Sequence, residues 1–99
     1  MTREEEVYVA LAQVIDPEIG INVVDLGLVY GMEVDADGDI DVRMTLTIQG
    51  CPMHDTIQAD ATRALQALSW ASRCNVDLTF DPPWTPDRIS PRARVLLGA

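Results

Sequence analysis

The residues best suited to chemistry in this chain meet at Gly50-Cys51-Pro52, where a strand-like run ends, a helix-like run begins and a thiol stands at the joint. At a helix N-terminus, free N–H groups and the macrodipole favour an anion, which lowers a thiol's pKa and makes it a nucleophile or a metal ligand. The plain structural reading of Cys51, a small buried residue closing a turn, competes with this on spacing alone. The tightness imposed by Gly50 and Pro52 weighs toward a functional thiol. His54 lies three residues on, where an exposed first-turn position competes with a ligand role. One such cysteine and the single histidine cannot supply the four ligands of a structural zinc site, and there is no CxxC, HExxH or second histidine. A metal at Cys51 therefore has to borrow ligands from a second copy, a partner or a small molecule.

A second polar group, Asp16, Glu18 and Asp25, sits among apolar residues over 16–27. Paired carboxylates can do acid-base work or hold a hard cation, although acids flanking Pro17 are also ordinary turn chemistry. Thr45 and Thr47 alternate with apolar residues just before Cys51, and are expected on the sheet face opposite the helices. Trp84, set among prolines, is expected to fold back over the sheet or near Cys51, with a partner-binding anchor as the other reading. Arg88, Arg92 and Arg94 are read as a solvated face, and Cys74, at a helix-to-strand junction, as inert.

These residues must be positioned by a small set of elements. Val7, Ala10, Leu11, Val14 and Ile15 form the stripe of an amphipathic helix over Glu4 to Ile15, capped by Thr2 and stopped at Pro17. Residues 16–27 carry no clean period and read as a partly buried loop. Leu28, Tyr30, Met32 and Val34 then mark one face of a strand, and Asp37-Gly38 a hairpin turn. The next strand places Ile40, Val42, Met44, Leu46 and Ile48 on one face. A second helix from Pro52 to about Ala71 carries Ile57, Ala61, Ala64, Leu65 and Leu68. A third strand over Asn75 to Phe80 turns Val76, Leu78 and Phe80 inward, and Ser90-Pro91 opens a short terminal helix.

Every strand has one apolar and one polar face, so helices should cover one side of the sheet only. The expected fold is α+β, a two-layer domain spanning 1–99 in the order α-β-β-α-β-α, with a three-stranded mixed sheet. Its first two strands form an antiparallel hairpin, and the second and third are parallel across the helix. A second helix of that length separates Cys51 from Cys74 by about 27 Å, far beyond the reach of a disulfide. Two free thiols suit a reducing compartment.

Composition narrows the partners. The net charge of -9 reflects sixteen acids against seven arginines and no lysine, a field that repels nucleic acid and anionic lipid. No apolar run approaches a membrane span and no signal-peptide pattern opens the chain, so a cytoplasmic protein is expected. GxxxxGK[ST], GxGxxG and GxSxG are all absent, leaving nucleotide hydrolysis, dinucleotide binding and serine hydrolase chemistry without support.

Taken together, Asp16-Pro17-Glu18, the run from Asn22 to Tyr30, Thr45-Leu46-Thr47 with Gly50-Cys51-Pro52, and Pro82-Pro83-Trp84-Thr85-Pro86-Asp87 through Ser90 and Arg94 resemble the metal-sulfur cluster biosynthesis family. That family includes SufT-like proteins, PaaD proteins, the eukaryotic cytosolic iron-sulfur targeting subunit and a domain of some cluster-carrier ATPases. The resemblance spans nearly the whole chain, with the motifs in the same order. It implies an iron-sulfur cluster assembly-type fold and a non-enzymatic accessory role in assembling clusters or delivering them to client proteins. It further implies Cys51 as the functional thiol and metal ligand, supported by Asp16, Glu18, Asp25, Thr45 and Thr47.

The cysteine-rich extension typical of PaaD, which serves a multicomponent oxygenase, is absent, as is a P-loop domain; in length the chain is closest to the SufT-like members. One well-placed thiolate cannot hold a cluster that usually takes four, so a transient cluster shared in a homodimer or with a client is expected. Two other readings stay open: an adaptor that holds no cluster, and a thiolate nucleophile or sulfur acceptor assisted by Asp16 or Glu18.

Overall fold

The computed structural model describes residues 1–17, 19–47 and 54–98, so Glu18, Cys51 and the junction around it lie outside the described residues, as does the side chain of His54. Helix α1 (Arg3–Leu11) begins at a capping box in which the Thr2 hydroxyl accepts from the Glu5 amide and the Glu5 carboxylate accepts from the Thr2 amide. Strands β1 (Val29–Val34) and β2 (Ile40–Met44) form an antiparallel hairpin; helix α2 (His54–Gln66) then leads to β3 (Cys74–Leu78), parallel to β2. A 3-10 turn (Pro86–Arg88) and helix α3 (Pro91–Leu96) complete the chain. The sheet order is β1-β2-β3, and α1 and α2 pack on each other and on the strands.

Alternation along the strands decides which side the helices cover. Ile40, Val42 and Met44 are buried while Asp41 and Arg43 between them are exposed. Val7, Leu11, Ile57, Ala61 and Leu65 bring the helical stripes onto that apolar face. The expected α+β layering with helices on one face is what the chain adopts. At the hairpin, the Asp35 carboxylate accepts from the Asp37 and Asp39 amides, and Gly38 takes φ +88° against the Trp70 carbonyl.

Five local expectations are corrected. Helix α1 ends at Leu11, because Val14 and Asp16 take extended-chain partners instead: the Val23 amide donates to the Val14 carbonyl and the Asp16 amide to Ile21. Ile15, expected on the buried stripe, bridges Asn22 and is half exposed. Helix α2 ends at Gln66 rather than near Ala71, the chain continuing through turns to Ala71.

Tyr30 leaves the inward face because Val29 pairs with Met44 and Gly31 with Arg43, so Tyr30 is the extra residue of a β-bulge. Its ring borders a cavity shared with Arg43 and Thr79, and its hydroxyl donates to the Pro82 carbonyl at 2.8 Å. Finally, Thr45 is not on the open face. The ladder ends at Met44, the Thr45 amide donates to the Leu28 carbonyl at 2.8 Å, and Met44, Thr45 and Leu46 are buried in succession.

Candidate functional site

The loop over 14–28 folds through its own backbone. The Asp16 amide donates to Ile21, the Gly20 amide to the Asp16 carbonyl at 2.7 Å and the Ile19 amide to Asp16 Oδ1 at 3.2 Å. Asp16 is only 4% exposed, an acid held inside a tight turn by amide donors. The loop's far end reaches β2: the Leu28 amide donates to Val23, and the Leu28 carbonyl accepts from Thr45. One continuous hydrogen-bonded path therefore links Asp16 to Thr45, the last fully buried polar residue before the segment that carries Cys51.

Thr45 is the anomaly of this region. Its side chain is fully buried and its Oγ1 has no hydrogen-bond partner among the described residues. A buried hydroxyl left unsatisfied costs about 1–3 kcal/mol, so it stands out in a small fold. Thr47 is half buried just beyond it.

Asp25, grouped by sequence with Asp16, is employed differently. Its carboxylate accepts from Asn22 Nδ2 at 2.7 Å, Ser90 Oγ at 3.0 Å, and Arg92 Nε and Nη2 at 3.0 and 2.8 Å. The hydrogen bonds from Arg92 hold the Asp25 carboxyl below its ordinary pKa, against the opposing pull of burial, and those from Asn22 and Ser90 add to the lowering. Backbone and ring contacts extend this clasp. The Ser90 amide donates to the Asp25 carbonyl and Trp84 Nε1 to the Leu26 carbonyl, both at 2.7 Å. Gly27, at φ +74°, lets the Arg88 backbone lie where a Cβ would come within 2.3 Å of its carbonyl oxygen. Trp84 thus folds back, half buried, onto the loop, and the C-terminal segment braces the loop that holds Asp16.

Cys74 is free and partly buried, and burial, with Asp39 nearby, pushes its thiol pKa up, favouring the inert thiol. It pairs with Ile40, four strand positions from the Met44 end of β2, a separation of about 13 Å. Cys74 and Thr45 therefore stand at opposite ends of the sheet. Among the described residues no group of three or more His, Cys, Asp or Glu side chains could hold a metal ion. Sequence reasoning missed the roles of Asn22, Ser90 and Arg92 as partners of Asp25. Ser90 was legible as a cap, but the acid it serves lies 65 residues away.

With this geometry in place, the known proteins can be compared. The family model described as iron-sulfur cluster assembly protein matches residues 4–78. The chain belongs to the iron-sulfur cluster assembly protein family. Among the members of this family that it resembles, the Fe-S protein maturation auxiliary factor YitW of Bacillus subtilis (strain 168) is 41% identical, over 96% of this chain and 93% of the relative. The Fe-S protein maturation auxiliary factor SufT of Staphylococcus aureus (strain USA300) is 44% identical, over 86% of this chain and 97% of the relative. The fold matches the crystal structure of a domain of unknown function, DUF59, from Bacillus anthracis with a TM-score of 0.92 and 36% identity, covering 96% of this chain and 91% of that one. The family match ends at Leu78, so the clasp residues Trp84, Ser90 and Arg92 lie beyond it. No helix among the described residues is long and apolar enough to cross a membrane.

Proposed function

We propose that this chain is an accessory factor in iron-sulfur cluster assembly or in cluster delivery to client proteins, acting through the Cys51 thiol without catalysing a reaction of its own. Family membership and the maturation-factor names of its relatives support the role. The observation that carries the site is the buried Thr45 hydroxyl, without a partner among the described residues and six residues before Cys51 in the β2–α2 connection. A hydroxyl is retained in such a place when something else completes its hydrogen bonding. A ligand or partner group arriving at this end of the sheet is the completion that fits the role.

The cluster is cargo in this reading, and donor counting sets how it is held. Clusters are usually bound by four thiolates, Cys74 is remote from Thr45, and Cys51 supplies one sulfur. The remaining ligands come from a second copy or from the client, so binding is shared and transient. Asp16 and Thr45 hold polar groups at the edge of that surface, and Asp25 and Trp84 keep the intervening loop in place. A reducing compartment such as the cytoplasm, which keeps both cysteines as thiols, suits this role.

Anaerobic reconstitution with iron and sulfide, read by absorption spectroscopy and native mass measurement, tests the proposal alongside complementation of a deletion strain. Wild type should restore cluster-enzyme activity and Cys51→Ser should not. Full restoration by Cys51→Ser would sink the thiol's role. Restoration by wild type without any cluster absorption would point to an adaptor that recruits clients.

A further inference from the structure

The face of the sheet away from the helices carries a second constellation. Arg43 stands on β2 with Asp41 two residues before it on the same face and Asp77 opposite it on β3. In a chain of net charge -9 this arginine stands between two carboxylates, each of which accepts from Asn75. Asn75 Nδ2 donates to Asp41 Oδ1 at 3.2 Å and to Asp77 Oδ2 at 3.0 Å. The Arg43 guanidinium lies instead against Gly31, where an added Cβ would come within 2.9 Å of Nη2. A side chain at Gly31 would displace it.

Arg88 approaches the same place from the C-terminal segment. Its guanidinium lies over the Tyr30 ring, 4.4 Å from the centroid, and Tyr30 is held there by the bulge and by its bond to Pro82. Arg43, Arg88, Tyr30, Thr79, Asp81 and Pro82 line one open cavity of about 400 Å3. Arg63 and Arg92 are paired with Asp60 and Asp25, and Arg94 donates to carbonyls. Among the described residues, neither the Arg43 nor the Arg88 side chain makes a hydrogen bond or ion pair. Arg43 and Arg88 border this cavity together, Asp81 is the acid on its rim, and the planar guanidinium forks match the oxygens of a carboxylate or phosphate.

We propose that the Arg43–Arg88 cavity is an oxyanion-binding site, taking a carboxylate or phosphate group on the sheet face opposite the helices. The oxyanion can come from a free small molecule or from an acidic side chain of a partner, and two probes separate these sources: inorganic phosphate and a capped glycine–glutamate–glycine peptide. The full chain, labelled with 15N, is titrated with each, following the amides of Gly31 and Thr79 and the Nε–H groups of the arginines.

Saturable shifts at these positions with either probe are expected, and the probe that binds more tightly identifies the source. Arg43→Gln and Arg88→Gln should each weaken binding about tenfold or more, the scale of one charge-assisted hydrogen bond. Arg63→Gln, which removes the same charge from the outer face of α2, should leave binding unchanged. Both target arginines are exposed, so the variants should fold, which circular dichroism checks. The proposal is overturned if neither probe saturates, or if Arg63→Gln weakens binding as much as Arg43→Gln does.

Discussion

Asp25, within the hydrogen-bonded loop over 14–28, and Thr45, where that loop meets the end of β2, are finished in opposite ways. Around Asp25, Asn22, Ser90 and Arg92 together satisfy a carboxylate that burial alone would disfavour. Around Thr45 a fully buried hydroxyl has no partner among the described residues. A polar group completed from within the chain stabilises the fold, and in the proposed role the incomplete one is where an outside group is met. Both residues were expected to support Cys51; the fold gives the Asp25 carboxylate partners from the C-terminal segment and leaves the Thr45 hydroxyl without one among the described residues.

The contrast can be broken or sharpened by substitution. The largest effect is expected at the incomplete end: Cys51→Ser should abolish complementation of a deletion strain while leaving the thermal midpoint near that of wild type. On the clasp side, Trp84→Ala should cost about 2–3 kcal/mol in urea unfolding, through lost packing and the lost bond to the Leu26 carbonyl. Asp25→Ala should cost less, about 1–2 kcal/mol, because Arg92 is largely exposed and its ion pair is screened.

Thr45→Val should then reverse the usual sign. Removing an unsatisfied buried hydroxyl at nearly constant volume is expected to leave stability equal or raised by about 1 kcal/mol, while complementation falls. Loss of stability together with full complementation in this variant would dissolve the contrast. The smallest effect is a pH dependence. Asp25 has a folded-state pKa below its ordinary value, so its contribution is complete above the ordinary carboxylate range, about pH 4. It is lost as pH falls through the lowered folded value. The stability gap between wild type and Asp25→Asn should accordingly close on acidification below that range, measured as thermal midpoints across an acid series.

Local pattern carried the sequence reading a long way. The period-2 alternation of Ile40, Val42 and Met44, the helical stripe of Ile57, Ala61 and Leu65, the Asp37-Gly38 turn and the caps at Thr2 and Ser90 all report chemistry within a few residues of themselves. They were therefore legible before any fold was known. The same locality explains the misses. Nothing near Tyr30 announces that Val29 and Gly31 will straddle one fewer residue on β2, which moves its ring to the cavity face. Nothing near Ile15 shows that Val14 and Asp16 will exchange helical partners for Val23 and Ile21.

The motif set around Asp16, Thr45 and Gly50-Cys51-Pro52 was likewise visible as residues, because their types and order are properties of the chain. By itself the sequence determined the layering, the element order and the number of sulfur donors, since periodicity, turn chemistry and composition are local or countable. Only the tertiary structure decided which polar groups are satisfied. Whether Asp25 meets Arg92, whether Asn75 draws Asp41 and Asp77 away from Arg43, and whether Thr45 finds no partner all depend on contacts between elements distant in sequence.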